Sequence, residues 1–145
     1  MKRILVVGGG LIGLRHLEAV KAHPECSLVG LADPNMSLEV DAPRFASMAE
    51  VTASVDGVII ATPTHLHAAH GMEAAARGWP MLIEKPVAGS LQQARELAKV
   101  LQDHKIASLV GHHRRYHRVV QQLKSCLDSG QIGEVVTVQV IWAMR

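Results

Sequence analysis

Residues 3–16 read Arg-Ile-Leu-Val-Val-Gly-Gly-Gly-Leu-Ile-Gly-Leu-Arg-His. An apolar run too short for a buried helix ends in three glycines, and helical periodicity begins at once. Gly8, Gly10 and Gly13 have the spacing G-x-G-x-x-G, and each glycine has a mechanical task in a dinucleotide site. Gly8 lets the chain turn sharply out of a strand. Gly10 lacks a Cβ, so a pyrophosphate can approach the backbone. Gly13 lets the helix pack closely on the strand. The first free N–H groups and the positive end of that helix face the phosphates. The candidate pyrophosphate residues are therefore Gly8, Gly10, Leu11, Ile12 and Gly13. A carboxylate, Asp33, follows Gly13 at the interval such a site requires.

Composition narrows the function classes. The chain has 145 residues, enough for one domain with a real core, and 48% of them are hydrophobic, which excludes disorder. The net charge of +2, with one Phe and one Tyr, offers no electrostatic footprint or stacking platform for nucleic acid. The apolar runs are far too short to span a membrane. The N-terminus leads directly into a strand, so no signal peptide is expected. Cys26 and Cys126 are isolated and read as reduced thiols of a cytoplasmic protein.

Along the chain, strand and helix patterns alternate. Strands are expected over residues 3–7, 27–32, 44–47, 57–61, 81–83 and 107–110, and helices over 10–23, 65–77, 90–104 and 116–129, with a small helix over 48–55. Leu11, Leu14, Leu17 and Val20 form the inward stripe of the first helix, Thr64 is expected to cap the second, and Ser90 with Gln93 forms a capping box for the third. Residues 34–43 are short and polar where a doubly wound fold places a crossover helix. From residue 136 to 144 Val136, Val138, Val140, Trp142 and Met144 alternate with other side chains, which predicts a long strand of a different sheet. The expected fold is α/β, a doubly wound parallel Rossmann sheet over residues 1–117. Residues 118–145 read as the first helix and strand of a truncated second α+β domain.

Two acidic or basic groups stand at carboxyl ends of strands, where ligands bind in open parallel sheets. Asp33 can accept hydrogen bonds from an adenosine ribose and would repel a 2′-phosphate, which favours NAD over NADP; it can equally start an Asp-Pro turn. Lys85, held extended by Pro86, could exchange a proton with a substrate hydroxyl or carbonyl during hydride transfer. Taken alone it reads as a surface lysine at the start of a loop.

Four stretches occur in order: Gly8 to His16; Ala61-Thr62-Pro63 with His67; Glu84-Lys85-Pro86; and Gly111-His112-His113-Arg114-Arg115-Tyr116. Together they resemble the N-terminal half of the glucose–fructose oxidoreductase / inositol dehydrogenase (Gfo/Idh/MocA) family, and the resemblance covers essentially the whole chain. It implies an NAD-dependent oxidoreductase of sugars, cyclitols and related hydroxy compounds. It places Lys85 beside nicotinamide and substrate as the catalytic residue. It adds Thr62, Pro63, His67, Glu84 and Arg115 to the cofactor site, with His67 expected to cap or pack against the Glu84-Lys85-Pro86 turn and His16 to lie behind the glycine loop. Thr64 and His113 stand where many members have Asn. The family's second catalytic stretch, an Asp and a His from its larger domain, has no counterpart here, so the chain alone is expected to be inactive. The rival reading is a non-enzymatic dinucleotide-binding module. The nine histidines show no convergent metal-ligand spacing. A homo-oligomer through residues 134–145 is expected, with no nucleic-acid or membrane partner.

Overall fold

The computed structural model describes residues 1–141. They form two compact units, 1–111 and a second beginning at His112.

The first unit is built on six parallel strands: β1 (Lys2–Val7), β2 (Cys26–Ala32), β3 (Arg44–Phe45), β4 (Gly57–Ile60), β5 (Met81–Ile83) and β6 (Ser108–Val110). Their spatial order is β3-β2-β1-β4-β5-β6. The chain starts in the middle of the sheet, winds outward to β3, then crosses back beside β1. The reversal of winding lies between β1 and β4, where a crevice opens at the carboxyl ends. Successive residues of β1 point to opposite faces, and Leu5, Val6 and Val7 are all buried, because both faces are covered. On one face Leu5, Val7, Val58, Ile60, Met81 and Ile83 pack with Ala74 and Ala75 of α2 (Thr64–Ala76) and Leu97 and Leu101 of α3 (Leu91–Asp103). On the other, Val6 and Leu31 pack against Leu17 of α1 (Leu11–Ala22).

Several expectations need correction. The inward stripe of α1 runs through Gly13, Leu14, Leu17 and Val20, while Leu11, at the first turn, is 69% exposed. Gly13 occupies the interior position because the helix starts hard against the glycine loop. The small helix expected over residues 48–55 is a single 3₁₀ turn, Met48–Glu50. Met48 and Val51, three apart, are buried and anchor it, and the β-branched Val51 and Thr52 that follow do not propagate a helix. Thr64 does not cap α2; it is the first helical residue, after Pro63. Ser90 does cap α3, its Oγ accepting from the Gln93 N–H at 3.2 Å.

Residues 34–43 contain no helix but do the covering work of one. Leu38, Val40 and Ala42 pack onto the cluster of Val6, Leu17 and Leu31. Arg44 holds the link in shape by donating from Nη1 to the carbonyls of Met36 at 2.6 Å and Leu38 at 2.7 Å.

The second unit contains a 3₁₀ turn, His113–Tyr116, and α4 (Arg118–Asp128), whose first turn is capped by His117 Nδ1 accepting from the Val119 N–H at 3.4 Å. Residues 135–141 form no strand, against expectation. Val136, Val138 and Val140 are 92%, 73% and 83% exposed. A strand exists by pairing its N–H and C=O groups, and none of the described residues pairs with this segment. Trp142 and Met144, also assigned to that strand, lie outside the described residues.

Candidate functional site: a dinucleotide cradle at the carboxyl edge

The carboxyl ends of β1, β2, β4 and β5 bring together the glycine loop, Asp33, Thr62-Pro63 and Glu84-Lys85-Pro86. At Gly8 the backbone turns with φ +99°, a conformation that disfavours a side chain, and a Cβ there would lie 2.7 Å from the Ala61 carbonyl oxygen. A Cβ on Gly13 would run into the carbonyl oxygen of Gly8, so this glycine allows the close approach of α1 to β1. Gly10 is different: a Cβ there would meet nothing within 4 Å. It opens onto solvent at the N-terminus of α1, and no side chain caps that helix. The free N–H groups of the first turn, at Leu11 and Ile12, and the open face of Gly10 form a cradle suited to a pyrophosphate.

Asp33 Oδ2 accepts from the Gly9 N–H at 2.6 Å, and Oδ1 accepts from the Asn35 N–H at 2.8 Å. Asp33 starts the expected Asp-Pro turn and also braces the glycine loop, and each oxygen retains a lone pair that a ribose hydroxyl could use. A Cβ on Gly9 would collide with Leu38 Cδ1, so the 34–43 link lies directly against the loop.

Beyond β4 and β5, two histidines tie the next part of the edge together. His67, on α2, is 2% exposed. Its Nε2 lies 2.7 Å from the carbonyl oxygen of Thr62 and its Nδ1 2.7 Å from that of Pro86. The expected contact with the Glu84-Lys85-Pro86 turn is present. Direct contact of His67 with a cofactor is not: the ring is buried and both nitrogens are spent on the chain itself. His16, on α1, bonds through Nε2 to Glu84 Oε1 at 2.9 Å. Glu84 Oε2 accepts from the Lys85 N–H at 3.2 Å. A Cβ on Gly111 would stand 2.9 Å from the Glu84 carboxyl carbon, so the carboxylate occupies room that Gly111 leaves. The Lys85–Pro86 peptide bond is cis.

Lys85 itself is exposed. Thr62 Oγ1 lies 3.1 Å from His70 Nδ1. Burial holds His70 below its ordinary value, opposed by the charge of Glu73. Arg115 lies in the 3₁₀ turn of the second unit and is exposed. The His16–Glu84 pair was not foreseen; its partners are 68 residues apart, and local patterning carries no signal for it.

Residues 2–112 match the model of an oxidoreductase family with an NAD-binding Rossmann fold, GFO_IDH_MocA. The chain belongs to the Gfo/Idh/MocA oxidoreductase family. It is 30% identical to the rhizopine catabolism protein MocA of Rhizobium meliloti, covering 94% of this chain and 45% of that protein. It is 31% identical to the inositol 2-dehydrogenase of Rhizobium meliloti (strain 1021), over 95% of this chain and 44% of that enzyme. An oxidoreductase from Agrobacterium radiobacter, solved with NAD+, L-tartaric acid and magnesium, superposes with a TM-score of 0.82 at 25% identity, over 92% of this chain and 42% of its own. The WlbA dehydrogenase of Bordetella pertussis, solved with NADH and UDP-GlcNAcA, gives 0.83 at 25% identity, over 92% and 44%. The chain thus spans less than half the length of these relatives. The family's Rossmann domain binds NAD, and the cradle at Gly10, with Asp33 beside it, fits that group.

Proposed function

We propose that this chain is the nucleotide-binding half of an NAD-dependent dehydrogenase that moves hydride to or from a sugar, cyclitol or similar hydroxy compound. The observation that carries the reading is the open face of Gly10, flanked by Asp33 and set on the same sheet edge as Lys85. When bound, NAD supplies the hydride acceptor. The remaining chemistry belongs to this chain's own side chains and backbone. The N–H groups of Leu11, Ile12 and Gly13 hold the pyrophosphate, and Asp33 accepts from the adenosine ribose. The Asp33 carboxylate disfavours a 2′-phosphate, and Arg44, the nearest arginine along the chain, is committed to the carbonyls of Met36 and Leu38. NAD is therefore preferred over NADP. Thr62 and Pro63 line the next part of the crevice. Lys85 takes or returns the proton at the substrate oxygen.

The relatives' names support the substrate class, since they include an inositol dehydrogenase and a dehydrogenase solved with a nucleotide sugar. Calorimetric titration of the chain with NAD and NADP tests the cofactor. Saturable NAD binding that is weaker or absent for NADP is the expected result. Equal or tighter NADP binding would overturn the role of Asp33. Turnover belongs to the full-length protein carrying this half, and cyclitols, sugars and UDP-sugars are the substrates to assay.

A further inference from the structure

His67 faces two acceptors. A carbonyl oxygen only accepts, and both ring nitrogens lie 2.7 Å from one: Nε2 from that of Thr62, Nδ1 from that of Pro86. A neutral imidazole has one N–H, so one of these short contacts would set a nitrogen lone pair against an oxygen lone pair. With a proton on each nitrogen, both contacts become charge-assisted hydrogen bonds of ordinary length. The ring is 2% exposed, so water cannot relieve a mismatch.

The placement gives this bridge a consequence. Thr62 leaves β4 and Pro86 follows β5, and these are neighbouring strands at the crevice. Lys85 stands between Pro86, whose carbonyl is held by His67, and Glu84, whose carboxylate is held by His16. The residue on each side of the lysine is thus tied to a different helix, Pro86 through its carbonyl to α2 and Glu84 through its carboxylate to α1.

The surroundings leave the charge on His67 little direct compensation. The strands β4 and β5, against which α2 packs, bring no titratable side chain. Those of α3, Arg95, Glu96, Lys99 and Asp103, are exposed. On α2 itself the charged or titratable neighbours are His70, bonded to Thr62 Oγ1, and Glu73 a turn further on. In the turn after β5, the Glu84 carboxylate is engaged by His16. The two carbonyl dipoles are what His67 meets directly.

We infer that His67 carries protons on both ring nitrogens and is the positioning residue for Lys85, clamping the Thr62 loop to the Lys85-Pro86 turn. This rests on the reading of Lys85 as the proton-transfer group.

Heteronuclear NMR of the 145-residue chain, labelled with nitrogen-15 in histidine, tests the ring directly. Both His67 nitrogens are expected at protonated positions, with two slowly exchanging ring N–H signals. One nitrogen at an unprotonated position would overturn the inference, and this readout needs no variant to fold. The positioning role is tested with His67→Gln, which keeps one donor. The amide signals of residues 84–87 and of 62–64 are expected to shift together, and NAD affinity to fall about two- to tenfold for the lost hydrogen bond. His70→Gln, which loses only the contact to Thr62 Oγ1, should leave the signals of residues 84–87 in place. A His67→Gln spectrum with residues 84–87 unmoved would refute the clamp. Failure of the wild-type chain to bind NAD would instead count against the proposed function, and the ring-proton result would still decide the state of His67.

Discussion

Asp33 Oδ2 accepts a 2.6 Å hydrogen bond from the Gly9 N–H, joining the end of β2 to the loop that leaves β1. In the proposed function the same carboxylate would also accept from the adenosine ribose, serving the loop and the ligand together. A carboxylate accepting from backbone N–H groups is a strong, charge-assisted acceptor. Asp33→Ala removes both functions, and NAD affinity should fall by about tenfold or more, since a hydrogen bond to a charged group is worth about 1.5–3 kcal/mol. Asp33→Asn should retain more of the loop bracing but narrow the preference for NAD over NADP. Calorimetric titration of both variants with both cofactors checks this. Unchanged cofactor ratios in Asp33→Asn would contradict the charge argument.

Gly10 and Gly13 should respond to substitution in opposite ways. Gly10 has φ −68° and ψ 178°, open to any residue, and faces empty space. Gly10→Leu should leave the melting temperature close to wild type while abolishing NAD binding. At Gly13 a Cβ meets the Gly8 backbone, which cannot move aside without unseating α1. Gly13→Val should therefore destabilise the fold by about 1–3 kcal/mol or more, the usual cost of overpacking. Calorimetric melting of the two variants separates ligand cradle from packing. A destabilised Gly10→Leu with intact binding would reverse the assignment.

Lys85→Ala should leave NAD affinity within a few-fold of wild type, because the side chain is exposed. In a full-length enzyme carrying this half, kcat should fall by at least about a hundredfold, as for other lost acid–base groups. Ordinary turnover by that variant would retire the proton-transfer role.

Stability should decline on acidification in two stages. Burial lowers His70 from its ordinary value of 6.5, so the unfolded chain binds its proton more tightly than the folded one. Stability from this source is present above pH 6.5 and declines as the pH falls below it. His70→Gln should flatten that part of the profile. The second stage belongs to Asp56, held far below its ordinary 3.8 by hydrogen bonds from the Arg3 side chain and backbone. A depressed carboxylate contributes above its unfolded value, and the contribution is lost as pH falls below about 4. Solvent screens this surface pair, so Asp56→Asn should alter only the acid end of the curve, and modestly. Denaturant unfolding between pH 3 and 8 measures both stages; a profile identical in the two variants and wild type would contradict them.

Val136, Val138 and Val140 present apolar side chains to solvent. Burying each is worth about 1.5–3 kcal/mol, and an unpaired extended segment offers free N–H and C=O groups to a neighbour. The isolated 145-residue chain should self-associate through residues 134–145, most simply as a two-fold dimer. Light scattering should show a dimer or larger species that dissociates on combining Val138→Lys with Val140→Lys. A clean monomer at high concentration would exclude this interface, as would a dimer that survives both substitutions.

The sequence by itself determined the order of strands and helices, the parallel sheet and the glycine cradle. These features are local: strands read as short apolar runs, and the steric needs of Gly8, Gly10 and Gly13 are written in their spacing. It also pointed to Asp33 and Lys85, because a residue at a strand's carboxyl end inherits its place from the strand. What the tertiary structure decided depends on contacts between distant segments. Glu84 meets His16 because the turn after β5 and α1 converge there, 68 residues apart in sequence. His67 became a buried bridge between two carbonyls, and no periodicity distinguishes that from a ligand-facing histidine. Leu38, Val40 and Arg44 turned a short polar link into a cover for the sheet, a role set by the gap they fill. The alternation after residue 135 predicts a strand but cannot form one alone, because a strand's backbone groups are satisfied by a neighbour and not by its own sequence.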